Sequence, residues 1–215
     1  AELKAQKNGT VYKGNDPAVR YTGRTLVSPD GSVAFDWVGT YLETRFTGGK
    51  LSVKVSETGT SYYNVFVDGK LHKVVKVCGT DTLIHLVSGI DKRIHSLKIQ
   101  KRSEGEFGKT TVHQFVLSGS GRLAEEPAVR TRHIEFIGNS LTCGYGTDGK
   151  HRDEPFLVET ENCNLTFASM VARYYDADYT LIAHSGRGAA RNYGDSVRVS
   201  KVTMKDRMLN TFDED

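Results

Sequence analysis

Apolar and polar residues alternate one for one through much of the first half of the chain, and no other feature restricts its fold as tightly. Val33, Phe35 and Trp37 alternate with polar neighbours, as do Leu42, Thr44 and Phe46, then Leu51, Val53 and Val55, then Tyr63, Val65 and Val67. Leu97 and Ile99 repeat the pattern with Ile94 nearby, and further apolar runs lie at 71–77, 83–87 and 112–117. A period of two places every second side chain on one face of a pleated strand, so one face is buried and the other is wet. Pro29-Asp30-Gly31, Thr47-Gly48-Gly49 and Asp68-Gly69 punctuate the runs, and Asp68-Gly69 between two of them predicts a hairpin. About eight or nine short strands at this spacing predict an all-β sandwich of jelly-roll size.

The period changes after Ser118-Gly119-Ser120-Gly121. The polar stretch from there through Glu125-Glu126-Pro127 reads as an interdomain linker, dividing the chain into 1–127 and 128–215. Ile134 to Ile137 predicts a strand. Leu165, Ala168, Val171, Ala172 and Tyr175 then recur at helical spacing, with Thr160 or Asn162 as the cap, and Tyr179 to Ala183 is a second short apolar run. Strand, helix, strand predicts a right-handed crossover and a parallel sheet. Both strands then point their carboxyl ends at one rim, the first ending in Gly138-Asn139-Ser140 and the second in His184-Ser185-Gly186-Arg187-Gly188. The tail from Ser196 to Asp215 predicts another helix, with Val199, Val202, Met208 and Leu209 inward, and no further strand.

A serine and a glycine-rich turn on one rim suit acyl transfer, which needs a nucleophile, a base and N–H donors about 3 Å from a developing oxyanion. Gly, Asn and Ser also fill ordinary turns, and spacing alone leaves both readings open. Composition narrows the remaining classes. The 215 residues are 38% hydrophobic and 26% charged, with a formal net charge of +3. No Lys/Arg run is dense enough to predict a nucleic-acid partner, and no apolar stretch is long enough to predict a membrane span. The chain begins at Ala1 without a visible signal peptide, which fits an exported, processed product and equally a trimmed polypeptide. Cys78, Cys143 and Cys163 have no metal-ligand spacing; a Cys143–Cys163 pair and three separate thiols both remain open.

Gly138-Asn139-Ser140-Leu141-Thr142-Cys143-Gly144-Tyr145-Gly146 resembles the first block of the SGNH (GDSL) hydrolases and, more narrowly, carbohydrate esterase family two. That family joins an N-terminal jelly roll to an α/β SGNH domain with a flavodoxin-like parallel sheet. Asp30-Gly31, Phe35-Asp36-Trp37, Phe46-Thr47-Gly48 and the stretch from Tyr62 to Gly69 are similar to its jelly roll. Glu161-Asn162, Ser185-Gly186-Arg187-Gly188 and Arg191-Asn192-Tyr193 are similar to its hydrolase half. The resemblance implies a secreted or periplasmic serine esterase that removes O-acetyl groups from plant cell-wall polysaccharides such as xylan and glucomannan. The route implied is an acetyl-enzyme, with no metal or cofactor.

Carried over by position, Ser140 is the nucleophile and Ser140 and Gly186 offer oxyanion N–H groups, while for Arg191, Asn192 and Tyr193, just beyond, lining of the sugar cleft and surface packing both stay open. Asn139 departs from the family's usual Asp, a nearly isosteric change at a loop-supporting position. The family's third block, Gly-x-Asn-Asp, has only a partial echo in Gly14-Asn15-Asp16, inside the first domain. Its Asp-x-x-His is spelled by Asp148-Gly149-Lys150-His151, but directly after the nucleophile, where it reads as coincidence on a polar loop. His184 reads as a satisfied histidine at a strand end. The second domain is therefore expected to be incomplete, with its base histidine and a strand beside Ile134–Ile137 coming from a further C-terminal segment of the same protein. The other reading is a carbohydrate-binding or interaction module carrying an inactive hydrolase remnant.

Overall fold

The computed structural model describes residues 9–125 and 127–214. Residues 1–8, 126 and 215 lie outside that description, the first of these including the start of the first domain and the second one residue of the linker stretch. Seven antiparallel strands form the first half: β1 (Thr10–Lys13), β2 (Val19–Thr22), β3 (Leu26–Val27), β4 (Val33–Phe35), β5 (Tyr41–Val67), β6 (Lys70–Lys101) and β7 (Thr110–Leu117). Hydrogen bonds join them in the order β2-β5-β7-β4-β3, with β1 on β7 and β6 on β5.

The strands are fewer and longer than the punctuation predicts. Thr47-Gly48-Gly49 does not reverse the chain; it is one of several register shifts along the β5–β6 pairing, others falling near Val55–Thr60. Such bulges bend a strand and sharpen its twist without ending it. Two long strands therefore replace several short ones, and all seven strands are continuous in one sheet that wraps its own core. Asp68-Gly69 does reverse the chain: Val67 pairs with Lys70, and φ is +50° and +76° at the two turn residues. The alternating residues face inward, with Phe35, Phe46, Leu51, Val65, Leu97 and Phe115 buried in one cluster. Each large apolar side chain buried in this way contributes about 1.5–3 kcal/mol.

The second half contains a parallel pair, β8 (His133–Gly138) and β9 (Asp178–Ala183), aligned from His133–Asp178 to Gly138–Ala183. Between them lie α1 (Ser140–Cys143) and α2 (Phe167–Tyr174), and after them the short α3 (Met204–Arg207). Thr166, not Thr160 or Asn162, precedes α2. The Asn162 side chain instead accepts from Asn164 N at the start of a single 3-10 turn, so the helix begins later than the spacing suggests. Its buried face is Ala168, Ser169 and Ala172, while Val171 and Tyr175 are exposed. In the tail only Met208 packs inward as expected; Val199, Val202 and Leu209 are exposed, because that segment is loop apart from the four residues of α3. No described residue pairs with the outer edge of β8, and Ile137 on that strand is exposed. Among the described residues no helix is long and apolar enough to cross a membrane.

The two halves share their interior. Val38 and Tyr41 pack with Cys143, Cys163, Ala168, Ala172, Tyr179 and Leu181, and Trp37 packs with Ile182 and Met204. All three cysteines are free thiols; Cys143 and Cys163 are buried in that shared cluster, and burial pushes the Cys163 pKa up to about 12.

Candidate active site

The carboxyl ends of β8 and β9 meet where His184 N donates to Gly138 O at 3.4 Å. A cavity of about 620 Å³ opens at this rim, lined by Glu106, Asn139, Ser140, Tyr145, Ser185, Gly186, Arg187, Gly188, Arg191 and Tyr193. Both turns expected at the rim therefore face one space.

Local chemistry shapes the first turn. A Cβ on Gly138 would stand 2.1 Å from Thr142 Oγ1, so only glycine lets the chain turn tightly from β8 into α1. Asn139 has extended dihedrals and its Oδ1 accepts from Leu141 N at 3.1 Å, the geometry of a helix N-cap. Ser140 then begins α1, half-buried, and neither its N–H nor its hydroxyl has a partner among the described residues. In the second turn Gly186 has φ +76° and its carbonyl accepts from Tyr193 N at 2.8 Å, while its own N–H has no described partner. Two free N–H groups and an unpartnered hydroxyl on one cavity wall are the parts from which an oxyanion site is made.

Arg191 and Tyr193 lie on the cavity wall, and Tyr193 is 92% exposed. Asn192 does not. Its Oδ1 accepts from Gly188 N at 3.1 Å and its Nδ2 donates to Val202 O at 2.7 Å, so its amide is used within the loop.

None of the described histidines lines the cavity. His184 is buried beneath it, with Nδ1 2.8 Å from Asp213 Oδ2 and Nε2 3.7 Å from Glu106 Oε2. Burial would lower its pKa, but the Asp213 carboxylate more than offsets that and holds it above the ordinary value. His151 is exposed on its loop, and Asp148, three residues before it, bonds Arg102 and Asn162 instead.

Sequence reasoning missed Glu104 and Glu106. They follow β6, in a Ser-Glu-Gly-Glu stretch with no periodicity or motif, and only the tertiary fold brings them to the rim. Glu106 lines the cavity; burial and the nearby Glu104 charge hold its carboxyl above the usual range. Glu104 lies below, accepting from both the backbone N–H and the hydroxyl of Ser185.

The comparisons with known proteins agree with this architecture. Residues 21–127 match the carbohydrate esterase 2 N-terminal family. The chain is 34% identical over 180 residues to the cellulase/esterase CelE of Acetivibrio thermocellus, covering 84% of this chain and 22% of that protein. It is 31% identical over 199 residues to an acetylxylan esterase / glucomannan deacetylase of Cellvibrio japonicus, covering 89% of this chain and 54% of the relative. Among solved structures, a family two carbohydrate esterase from Clostridium thermocellum in complex with cellohexaose superposes with a TM-score of 0.85 at 32% identity, over 91% of this chain and 59% of that one. The fold and the matched segment thus define a β-rich esterase N-terminal domain continuing into a parallel βαβ unit. Residues 21–127 of the chain are an N-terminal domain of carbohydrate esterase family two, and the likeness to members of that family runs on through most of the rest of the chain. The chain spans about half or less of the length of the curated relatives it matches.

Proposed function

We propose that this chain carries the nucleophile side of a serine esterase that removes O-acetyl groups from plant cell-wall polysaccharides such as xylan and glucomannan. The observation that carries the reading is the sharing of one cavity by Ser140 and Gly186, each with an unpartnered N–H. In this reading residues 1–127 are a jelly-roll domain and residues from 128 open an SGNH-type α/β domain. Ser140 gives its proton to a base and attacks the acetyl carbonyl, and the Ser140 and Gly186 N–H groups hold the oxyanion. The ester C–O bond breaks as the sugar oxygen takes that proton and leaves as a hydroxyl, and water then hydrolyses the acetyl-enzyme to acetate and free Ser140. The proton acceptor is a histidine outside the described residues, since a serine hydroxyl needs a neighbouring base and none of the described histidines lines the cavity. Arg191 and Tyr193 offer a cationic and an aromatic surface to the sugar. Such a substrate lies outside the cell, so the protein acts as a secreted or periplasmic enzyme.

The test uses the complete natural polypeptide that contains these residues. It should release acetate from acetylated xylan or glucomannan, and a fluorophosphonate probe should label Ser140. Ser140→Ala should abolish both while melting at the same temperature, a loss of several orders of magnitude in turnover. Unlabelled Ser140 and no acetate release from a folded protein, with retained binding to the polysaccharide, would favour the second reading, a carbohydrate-binding module with a hydrolase remnant. The observation favouring that alternative is that His184 is held by Asp213 and does not line the cavity.

A further inference from the structure

The glycine turn is held from below by the other half of the molecule. Ser185 N–H and Ser185 Oγ–H both donate to the Glu104 carboxylate, the hydroxyl at 2.5 Å. Glu104 is fully buried. Its own backbone is fixed: Lys101 Nζ, also buried, donates to Ser103 O at 2.9 Å and to Glu104 O at 3.0 Å. The Glu104 N–H donates to Glu161 Oε2 at 2.9 Å.

A buried carboxylate is costly unless its charge is shared or hydrogen-bonded. Glu161 is fully buried beside it, with a carboxylate oxygen in the same small cluster as Glu104 and Cys143. Burial and the Glu104 charge hold the Glu161 pKa far above the carboxylate range, so it keeps its proton. Its Oε1 has no hydrogen-bond partner among the described residues. The Glu104 carboxylate thus lies between the Glu161 carboxyl on one side and Ser185 on the other.

The consequence falls on the next residue. In the turn Ser185-Gly186, the first N–H is directed inward to Glu104, and the second is left without a partner beside the cavity. An unanchored turn could rotate and send the Gly186 N–H elsewhere; a fully buried carboxylate gripping Ser185 twice fixes it. We propose that Glu104 is a positioning residue for the Gly186 oxyanion donor, so that the β-rich half supplies part of the esterase site and is not merely attached to it. This rests on the serine esterase reading above.

The experiment is kinetic and uses the complete natural polypeptide with a small aryl acetate, whose binding needs no sugar contact. Three variants are compared with the wild type: Ser140→Ala, Glu104→Gln and Ser185→Ala, each with a thermal melt. Ser140→Ala should be inactive. Glu104→Gln keeps length but one acceptor only, and should lower kcat by about 10²-fold with KM changed less than about twofold, as a donor misplaced by about an ångström does. Ser185→Ala removes the hydroxyl bond and keeps the N–H, and should lower kcat by about tenfold with the same split. Activity retained in Ser140→Ala would remove the esterase reading and this inference with it. An inactive Ser140→Ala beside a Glu104→Gln enzyme with wild-type kcat would leave the esterase reading standing and overturn the role of Glu104. A lower melting temperature with unchanged kcat well below it would likewise overturn it. Should Glu104→Gln not fold, unchanged kcat in Ser185→Ala decides against the proposal, and a selective fall in kcat decides for it.

Discussion

Gly39, at the end of a turn before β5, sits directly against Leu181 in the middle of β9; a Cβ on Gly39 would stand 2.6 Å from Leu181 Cδ1. Its φ of +77° is also a conformation that side-chain-bearing residues resist. Gly39→Ala should therefore cost about 2–4 kcal/mol, from overpacking and backbone strain together. Urea denaturation measures this, and a variant as stable as the wild type would contradict the packing described between the halves.

Asp178, at the amino end of β9, ties the halves together electrostatically. Its carboxylate accepts from Arg20 Nη1 at 2.9 Å, Arg130 Nη1 at 2.9 Å and Tyr41 Oη at 2.7 Å. Burial alone would raise its pKa, but hydrogen bonds from Tyr41 and Arg20, the Arg20 charge and a further bond from Arg130 keep it below the ordinary value. The stabilisation is therefore complete above the ordinary Asp pKa of about 4 and is lost as pH falls through the lower folded value. Asp178→Asn should destabilise by about 3 kcal/mol at neutral pH. The gap from wild type should narrow in strong acid. A gap that stays constant from pH 7 to pH 2 would assign the effect to something other than the charge.

Gly138→Ala should separate folding from chemistry. A Cβ there would stand 2.1 Å from Thr142 Oγ1 and 2.9 Å from Thr142 Cβ, so rotating the hydroxyl does not clear the contact, and the β8–α1 turn should shift and carry Ser140 with it. On the proposed serine esterase reading, kcat of the complete polypeptide should fall about 10²-fold, far more than its modest loss in melting temperature suggests. Wild-type kcat in a folded variant would show that the turn tolerates the shift.

Asn139→Asp should change little. The side chain caps α1 through Oδ1, and Asp caps as well as Asn. Melting and kcat should both stay near the wild type; abolition of turnover in a folded variant would give the side-chain amide a direct part in the reaction.

What could be read in the sequence was what local periodicity and short motifs encode. The alternation through Val33 and Phe35 and through Val53 and Val55 marks strands, although Trp37, which continues the first pattern, lies in a bend beyond β4, and Asp68-Gly69 marks a hairpin, since each depends on neighbouring residues alone. Whether Gly48-Gly49 reverses a chain or bends it depends on the partner strand, which is distant in sequence. Helix α2 is legible as a helix, but its inward face is set by what it packs against, and Val171 and Tyr175 do not face the interior. Ser140, Gly186, Arg191 and Tyr193 reach one cavity because two parallel strands end together. Asn192 was assigned by adjacency, and adjacency says nothing of a side chain that bonds its own loop. Glu104 and Glu106 lie about 80 residues from the Ser185 turn, and no local signal joins them.

Trp37 is the chain's single tryptophan, fully buried against Ile182 and Met204 and covered by the Arg24 guanidinium 5.8 Å from the ring centroid. The β-rich half contributes the indole, and the parallel βαβ half contributes the apolar surroundings that keep water from it. The protein therefore carries an internal optical reporter: its emission should be blue while the halves are docked and should redden when they part, even if each keeps its own strands. A denaturation curve followed by tryptophan fluorescence would read the interface, and one followed by far-ultraviolet circular dichroism would read the sheets.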